Sequence, residues 1–437
     1  MAQAQSLLRL CGRPAAVFAL ALGIRLLYLA WQGTSQADIF HPDTPWFVTL
    51  AAGPDWWQGS TERLPGYLIF LGLHFRIFGP SAFWAPLISQ AVVDAMACVA
   101  IARTAECFRS GAGAWAGLLA AFNPTQIIMA GVLLGDSIFV ACLSFGFLAL
   151  ARWWRGQGGA FVVGLWFGLA LFNRAVLWPF IPVLGLALFA VGWRRGDYRA
   201  ALVVLGIAML FASPIVARNW IVWGTPSLSS QGPMHLALWW YPLVKEAYDG
   251  TPYARTAAAV SDAFERRGGG SGGFVDAALY ESLAREGLAE LPLSAFFKSW
   301  AMGAAINLAS PATLMIPRVM ALPRIGFYAT EGVSPFDKIL NFLTDSSSAA
   351  YLAWLSAGVA LEGPIRLLAI AGLFLLLWRR ETREAGLFIL AWIGFVLMVQ
   401  GPVASAKYRL PIESVAMVLA GYALAVWRDT KRMLSRA

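Results

Sequence analysis

Long apolar runs, separated by short breaks rich in Arg, make up most of the chain. The clearest cover 14–31, 82–107, 112–129, 131–151, 161–172, 176–193, 200–223, 364–378, 385–401 and 412–427. A helix needs about 20 mostly apolar residues to cross the hydrocarbon of a bilayer. A weaker run at 291–308 and another within 349–361 bring the expected total to about 10 to 12 crossings. This pattern predicts an all-α polytopic membrane protein, read as one domain over 1–437. No internal repeat of fixed period interrupts it.

The polar breaks carry the topology. Arg9 and Arg13 precede the first run. Arg103 and Arg109, Arg152 and Arg155, the "RRGDYR" turn, "RRETRE" and the final "RDTKRMLSR" share one side if the helices alternate. By the positive-inside rule that side is cytoplasmic. The segment 32–80, the Asn123–Pro124 and Asn173–Arg174 breaks, the block 224–362 and "ASAKYRL" then face outward. The segment 32–80 holds "FVTLAAGPDWWQG", which suits a surface-lying helix. Within 224–362, "ERRGGGSGGF" reads as a flexible stretch and "AALYESLAREGLAELP" as a surface-lying helix. The first run is long and "LAWQG" is a poor cleavage site, so the chain is expected to keep it as its first helix.

Composition narrows the class. Only 13% of residues are charged, against about a quarter in soluble domains, so a soluble enzyme is excluded. The net charge of +9 is accounted for by topology signals, and nucleic acid is not an expected partner. The 20 Trp fit interfacial belts and core, with Trp56 and Trp57 in the first outer loop standing out as candidate sugar or acceptor contacts. Cys11, Cys98, Cys107 and Cys142 have no CxxC spacing and read as small hydrophobes. His41, His74 and His235 have no zinc-ligand spacing.

The ionisable residues on the outward side need a reason. Asp43, in "HPDTPWF", is either a general base or an Asx-turn residue, since Pro follows two positions on. Asp136, in "GVLLGDSIFVA", is either a first-turn acid favoured by the helix dipole or, if its helix begins near Gly131, a buried functional acid. Arg63, Arg174, Arg218, Lys407 and Arg409 lie where the positive-inside rule disfavours cations. Together they suggest a bound anion, and Arg suits phosphate through its two parallel donors. Asp43 and Asp136 offer oxygen ligands of the kind a hard divalent cation takes, which leaves metal use open.

The ordered motifs resemble a known family. They run from Asp43, Phe47 and Leu50-Ala51 through "RLPGYLIFLGLHFRIFGPSAFWAPLISQ", "GLLAAFNPTQIIMAGVLLGDSIF", "GLALFNRAVLWPF" and "ARNWIVWGTPSLSSQG" to "KYRLPIESVAMVLAGYAL". This order is similar to that of the polytopic glycosyltransferases of the C superfamily. The branch resembled holds aminoarabinose-to-lipid-A transferases and relatives of protein O-mannosyltransferases. The likeness runs from Arg25 to Trp427 and is weakest over 250–363.

The resemblance implies transfer of a sugar from a polyprenyl-phosphate donor to a hydroxyl on a lipid, glycan or protein. It places the protein in a bacterial inner membrane with its site toward the periplasm. It implies Asp43 as base, Asp136 as a second site acid, and the outward cations on the donor phosphate. Tyr67 and Tyr408 stand in its motifs as candidate acceptor or sugar contacts. The family pattern has an Asp-Glu pair where this chain has Asp43-Thr44. A lipid or anion transporter is the main alternative, but transporters usually place charge at the midplane of repeated halves. A non-catalytic scaffold would have no use for cations beside acids on the outward side.

Overall fold

The computed structural model describes residues 13–324, 327, 330–332, 334–345 and 348–434. Arg9, Cys11 and the last two residues of the C-terminal motif lie outside the described residues. Helices account for nearly all regular structure, and no strand occurs among the described residues. Seven of these helices are long and apolar enough to cross a membrane, and three shorter apolar helices accompany them. The protein is a multi-pass membrane protein.

The first span, α1 (Pro14–Gln32), leads into a short α2 (Gln36–Ile39) and α3 (Thr44–Ala52). Helix α4 (Pro65–Phe78) follows, an apolar helix inside the segment expected as the first outer loop. Its Tyr67, Leu68, Leu71 and Phe75 are buried, so it belongs to the core rather than to the surface. Helix α5 (Trp84–Phe108) returns across the bundle.

The third apolar run is not one helix. Helix α6 (Ala112–Ala121) stops at Phe122, and α7 (Pro124–Ala130) starts behind Asn123. Pro cannot continue a helix but fits the first position of a new one. The Asn123 side chain caps that start by accepting the Gln126 N–H at 3.1 Å. Residues 131–135 are also non-helical, so α8 (Asp136–Trp154) begins five residues later than the hydropathy pattern predicts.

Helices α9 (Ala160–Asn173), α10 (Phe180–Arg195) and α11 (Arg199–Trp223) follow the expected spans. The block after Trp223 contains α12 (Gln231–His235), α13 (Tyr241–Asp249), α14 (Tyr253–Arg266) and α15 (Gly273–Ala289). The helical segment 236–240, α14 and α15 share a small core of Ala237, Val260, Leu283 and Ala284, with Tyr241 of α13 packed on it. The Gly/Ser stretch between α14 and α15 is a closed turn rather than a linker. The Asp276 carboxylate accepts the N–H groups of Gly270, Ser271 and Gly272 at 2.9–3.0 Å.

Helices α16 (Leu293–Ala309), α17 (Pro317–Met320) and α18 (Pro335–Thr344) lead to α19 (Ala349–Trp378). The last is one 30-residue helix through Pro364 rather than two segments. Helices α20 (Arg383–Gln400) and α21 (Leu410–Leu434) close the fold.

Small residues let the helices approach. A Cβ on Gly372 would meet the Leu419 carbonyl, and one on Gly421 would lie 2.6 Å from the Ala116 nitrogen. Such contacts are the usual means of helix association in lipid. The Arg-rich turns expected on one side do meet at one end. Arg109 pairs with Asp429 at 2.7 Å, Arg194 pairs with Glu384, and Arg195 donates to the Trp154 carbonyl.

Deep in the bundle Arg25 and Asp94 form a pair at 2.5 Å, both buried. Arg25 also donates to the Ala120 and Ala121 carbonyls at 3.3 and 2.9 Å, where α6 ends. Removing one member of a buried ion pair typically costs about 3–5 kcal/mol, because the partner charge is stranded. Arg25→Met is therefore expected to lower the thermal midpoint of the detergent-purified protein strongly. The double change Arg25→Met/Asp94→Leu should recover part of the loss but not all, since the two carbonyls stay uncapped. Full recovery would show that the helix-end contacts contribute nothing.

Candidate active site

A cavity of about 630 Å³, counting its open mouth, lies at the end of the bundle opposite the Arg-rich turns. Its wall includes Asp43, Arg63, Tyr67, Asp136, Arg174 and Lys407, six of the residues singled out in the sequence. They come from five distant stretches of chain.

Asp43 sits at the N-terminal end of α3, but its carboxylate caps no backbone N–H. The Asx-turn alternative is thus not what occupies it. Its Oδ2 takes the Lys407 Nζ at 2.8 Å, and its Oδ1 lies 3.5 Å from Arg63 Nη2. A third of the side chain stays exposed. Burial alone would raise this carboxyl, but Lys407 and Arg63 outweigh it and hold the group down at about 2. His41 adjoins it: the Asp43 N–H donates to His41 Nδ1 at 3.3 Å. Burial, helped by Lys407, pushes His41 down to about 4, so the ring is neutral near pH 7 and Nδ1 is free to accept.

Arg63 is held by a tight turn. Ser60 Oγ accepts the N–H groups of Glu62 and Arg63 at 3.1 and 3.0 Å, and the Ser60 N–H donates to the Arg63 carbonyl at 2.9 Å. Gly59 has φ +74°, and a Cβ there would meet that same carbonyl at 2.8 Å, so glycine is required. The guanidinium lies over the rings of Trp46 and Phe47, each at 5.2 Å. Its Nη1 reaches Gln231 Oε1 at 3.4 Å, while its buried Nε has no partner.

Asp136 is in the first turn of α8, and Arg174 caps the end of α9. Each charge suits the helix dipole at its position, and the two form an ion pair. The late start of α8 restores the first-turn reading of Asp136 and still leaves the acid at the cavity wall. The segment before it is tied down by buried side chains. Gln32 donates to the Gly131 carbonyl at 2.7 Å. Gln90 donates to Ala130 and Val132, and Thr44 Oγ1 donates to Leu133 at 3.2 Å.

The other expected residues lie elsewhere or are engaged. Arg218 donates to the carbonyls of Gln58 and Ser60 at 2.5 and 3.0 Å, bracing the Arg63 turn from outside the cavity wall. Arg409 is buried, with its donors on Glu413, Glu362, Thr125, Asn307 and Ser310. Tyr67 lines the cavity with its ring, but its hydroxyl donates to Gln90 at 2.6 Å. Tyr408 lies beneath the Lys407 ammonium at 5.6 Å. Trp56 packs on Gly72 under Arg76, and Trp57 is exposed on the loop.

Several residues at the site were not singled out for it in the sequence. Asn173, Ser229 and Gln231 line the cavity. His235 lies within electrostatic reach of Arg63, Lys407, Arg174 and Asp43, and burial with those cations pushes it down to about 4. Asn173 and Gln231 adjoin motifs already noted, so proximity to Arg174 and "SSQG" was the available signal. Among the described residues no group of three or more His, Cys, Asp or Glu is placed to hold a metal ion.

No protein-family model and no curated protein matches the sequence. Solved structures do match. The oligosaccharyltransferase of Archaeoglobus fulgidus, tethered to an acceptor peptide with the NVT sequon, gives a TM-score of 0.54 at 13% identity, over 96% of this chain and 50% of that one. The AglB oligosaccharyltransferase of the same organism, in complex with an inhibitory peptide and a dolichol-phosphate, gives 0.53 at 14% identity, over 97% and 51%. ArnT from Cupriavidus metallidurans bound to undecaprenyl phosphate aligns over 94% of this chain and 77% of that one at 17% identity, with a TM-score of 0.38. The chain spans about half the length of the oligosaccharyltransferases it matches. The likeness is one of fold: the chain has the helical membrane fold of these oligosaccharyltransferases.

Proposed function

We propose that the protein transfers a sugar from a polyprenyl-phosphate donor to an acceptor hydroxyl, with inversion, at the extracytoplasmic face of a bacterial inner membrane. The observation that carries this reading is the Asp43 carboxylate, partly open to a cavity that also holds Arg63, Arg174 and Lys407. The matched fold, one example of which is described with dolichol-phosphate, supports the choice of donor.

The chemistry balances on these groups. The acceptor oxygen attacks the anomeric carbon as the bond from that carbon to the phosphate oxygen breaks. The acceptor proton passes to Asp43, and the electron pair leaves with the lipid phosphate. Lys407, Arg63 and Arg174 stabilise that developing charge, which is where fixed cations lower a barrier most. Arg218 and Arg409 hold the loops in place and leave the phosphate to the other three. Asp136 keeps Arg174 aimed at the cavity, the Tyr67 ring flanks the sugar or acceptor, and Tyr408 supports Lys407.

In the resting site Asp43 is a weak base, because Lys407 holds it at about 2. A donor phosphate competes for Lys407 and Arg63. Its arrival loosens their hold on Asp43 and raises its basicity, so the base becomes active when the donor is in place.

Asp43→Asn keeps the shape and removes the base. General-base catalysis typically contributes about 10²–10⁴-fold, so sugar transfer from a polyprenyl-phosphate donor should fall by that factor with folded protein retained. A D43N variant as active as the parent would sink the assignment. Flux of a lipid or anion into proteoliposomes without covalent product would favour a transporter instead.

The pH profile tests the Lys407 contact separately. In the parent Asp43 is ionised above about 2, and His41 is neutral above about 4. Lys407→Met removes a positive neighbour, so both groups take up protons at higher pH. The acid limb of kcat/KM should move up by about one unit, toward the ordinary carboxylate range. A limb that stays in place would show that Lys407 does not set the charge state of the site.

A further inference from the structure

At the other end of α8 from Asp136, about 28 Å along the helix, a second cleft of about 430 Å³ opens. Its walls are α5, α8, α20 and α21, and its main surfaces are Phe108, Leu150, Trp154, Phe388, Ile389 and Val418. Thr104 brings the only side-chain hydroxyl, and this donates back to the Ala100 carbonyl at 2.8 Å. The lining of the cleft is almost wholly apolar, a poor place for water.

Its rim is cationic. Arg103, Arg152 and Arg155 each neighbour a lining residue in sequence, and all three lie within electrostatic reach of Cys107, beside Phe108. Arg155 donates to the Cys107 carbonyl. Arg103 and Arg152 are exposed, and their guanidinium groups have no hydrogen-bond or ion-pair partner among the described residues. The nearby acids are engaged elsewhere. Glu106 accepts the N–H groups of Gly111 and Gly113 at 3.0 Å, and Asp429 holds Arg109 at 2.7 Å. Glu384 holds Arg194. Among the described residues, three guanidinium groups without a carboxylate partner thus lie near an apolar slot.

We propose that this cleft is a binding site for an acidic glycerophospholipid, with an acyl chain in the slot and the phosphate on Arg103, Arg152 and Arg155. Arg forks suit phosphate oxygens, and basic pockets between spans at the positively charged face favour anionic headgroups. A zwitterionic lipid has the same chains but carries its own cation, which the Arg rim repels. The site is separate from the Asp43 cavity and does not depend on the reaction assigned to it.

Native mass spectrometry of the full-length protein, delipidated in detergent and titrated with dioleoyl phosphatidylglycerol or dioleoyl phosphatidylcholine, tests the headgroup. Phosphatidylglycerol should bind at least about 10-fold more tightly. The triple variant R103Q/R152Q/R155Q should lose that preference. Equal binding of the two lipids by the parent, or a preference kept by the triple variant, overturns the headgroup assignment. Phosphatidylglycerol with brominated acyl chains tests the slot without perturbing the rim. It should quench a fluorescence component of the parent that is missing from Trp154→Phe. Equal quenching in both would mean that the lipid sits only on the outer surface, and the proposal fails.

Discussion

The fold depends on one constraint: a stretch of backbone inside the bundle that is not helical. Carbonyls without partners at membrane depth are costly, so irregular backbone survives there only where side chains satisfy it. Here the carbonyls of Ala120 and Ala121 are capped by Arg25, and those of Ala130 to Leu133 by Gln90, Gln32 and Thr44. These four donors come from three different helices, and all are fully buried. They make the break between α6 and α8 a rigid piece of wall. Asp136 stands at its end, which is why an acid at the start of a span faces a cavity instead of lipid.

The same arrangement separates two electrostatic environments. At the Arg-rich end, cations outnumber acids and several point outward with no carboxylate partner. At the Asp43 end each acid is held by cations: Asp43 by Lys407 and Arg63, and Asp136 by Arg174. Paired charges around a cavity cost less than lone charges, yet each partner can be recruited by an incoming charged group. A phosphate would turn a set of closed ion pairs into a cation cradle and a freed carboxylate. The neutral state of His41 and His235 fits this, since neither adds a charge to the resting balance.

The helical class, most span positions and the gathering of Asp43, Arg63, Asp136, Arg174 and Lys407 were legible in the sequence. Hydropathy locates apolar runs, and charge in unexpected places marks a site. What hydropathy cannot show is where an apolar run stops being helical. The run 112–129 reads as one span, although Asn123–Pro124 is a capping pair that restarts the helix. Conversely, Pro364 reads as a break but is carried within a continuous helix. Arg218 and Arg409 carry the same sequence signal as Arg63. Only the positions of Gln58, Ser60, Glu362 and Glu413 show that their donors are already engaged. Gln32 and Gln90 gave no signal, because a buried amide is identified by the carbonyl it meets.

Thr44 joins the broken backbone to the charge balance. In the pattern that the sequence motifs resemble, a second acid stands at this position. Here the side chain is fully buried, accepts the His41 N–H at 3.0 Å and donates its own hydrogen to the Leu133 carbonyl. An ionised carboxylate has no hydrogen to donate, so it would leave that carbonyl unpaired and add a buried negative charge beside Asp43. The hydroxyl instead links the turn that carries Asp43 to the segment that leads into Asp136. With a hydroxyl at this position, the Lys407 contact with Asp43 meets no competing carboxylate from the same turn. The Thr44 tie and the cation on Asp43 are therefore two sides of one local arrangement: the turn carries a single carboxylate, balanced by an ammonium, and a hydroxyl that holds the backbone.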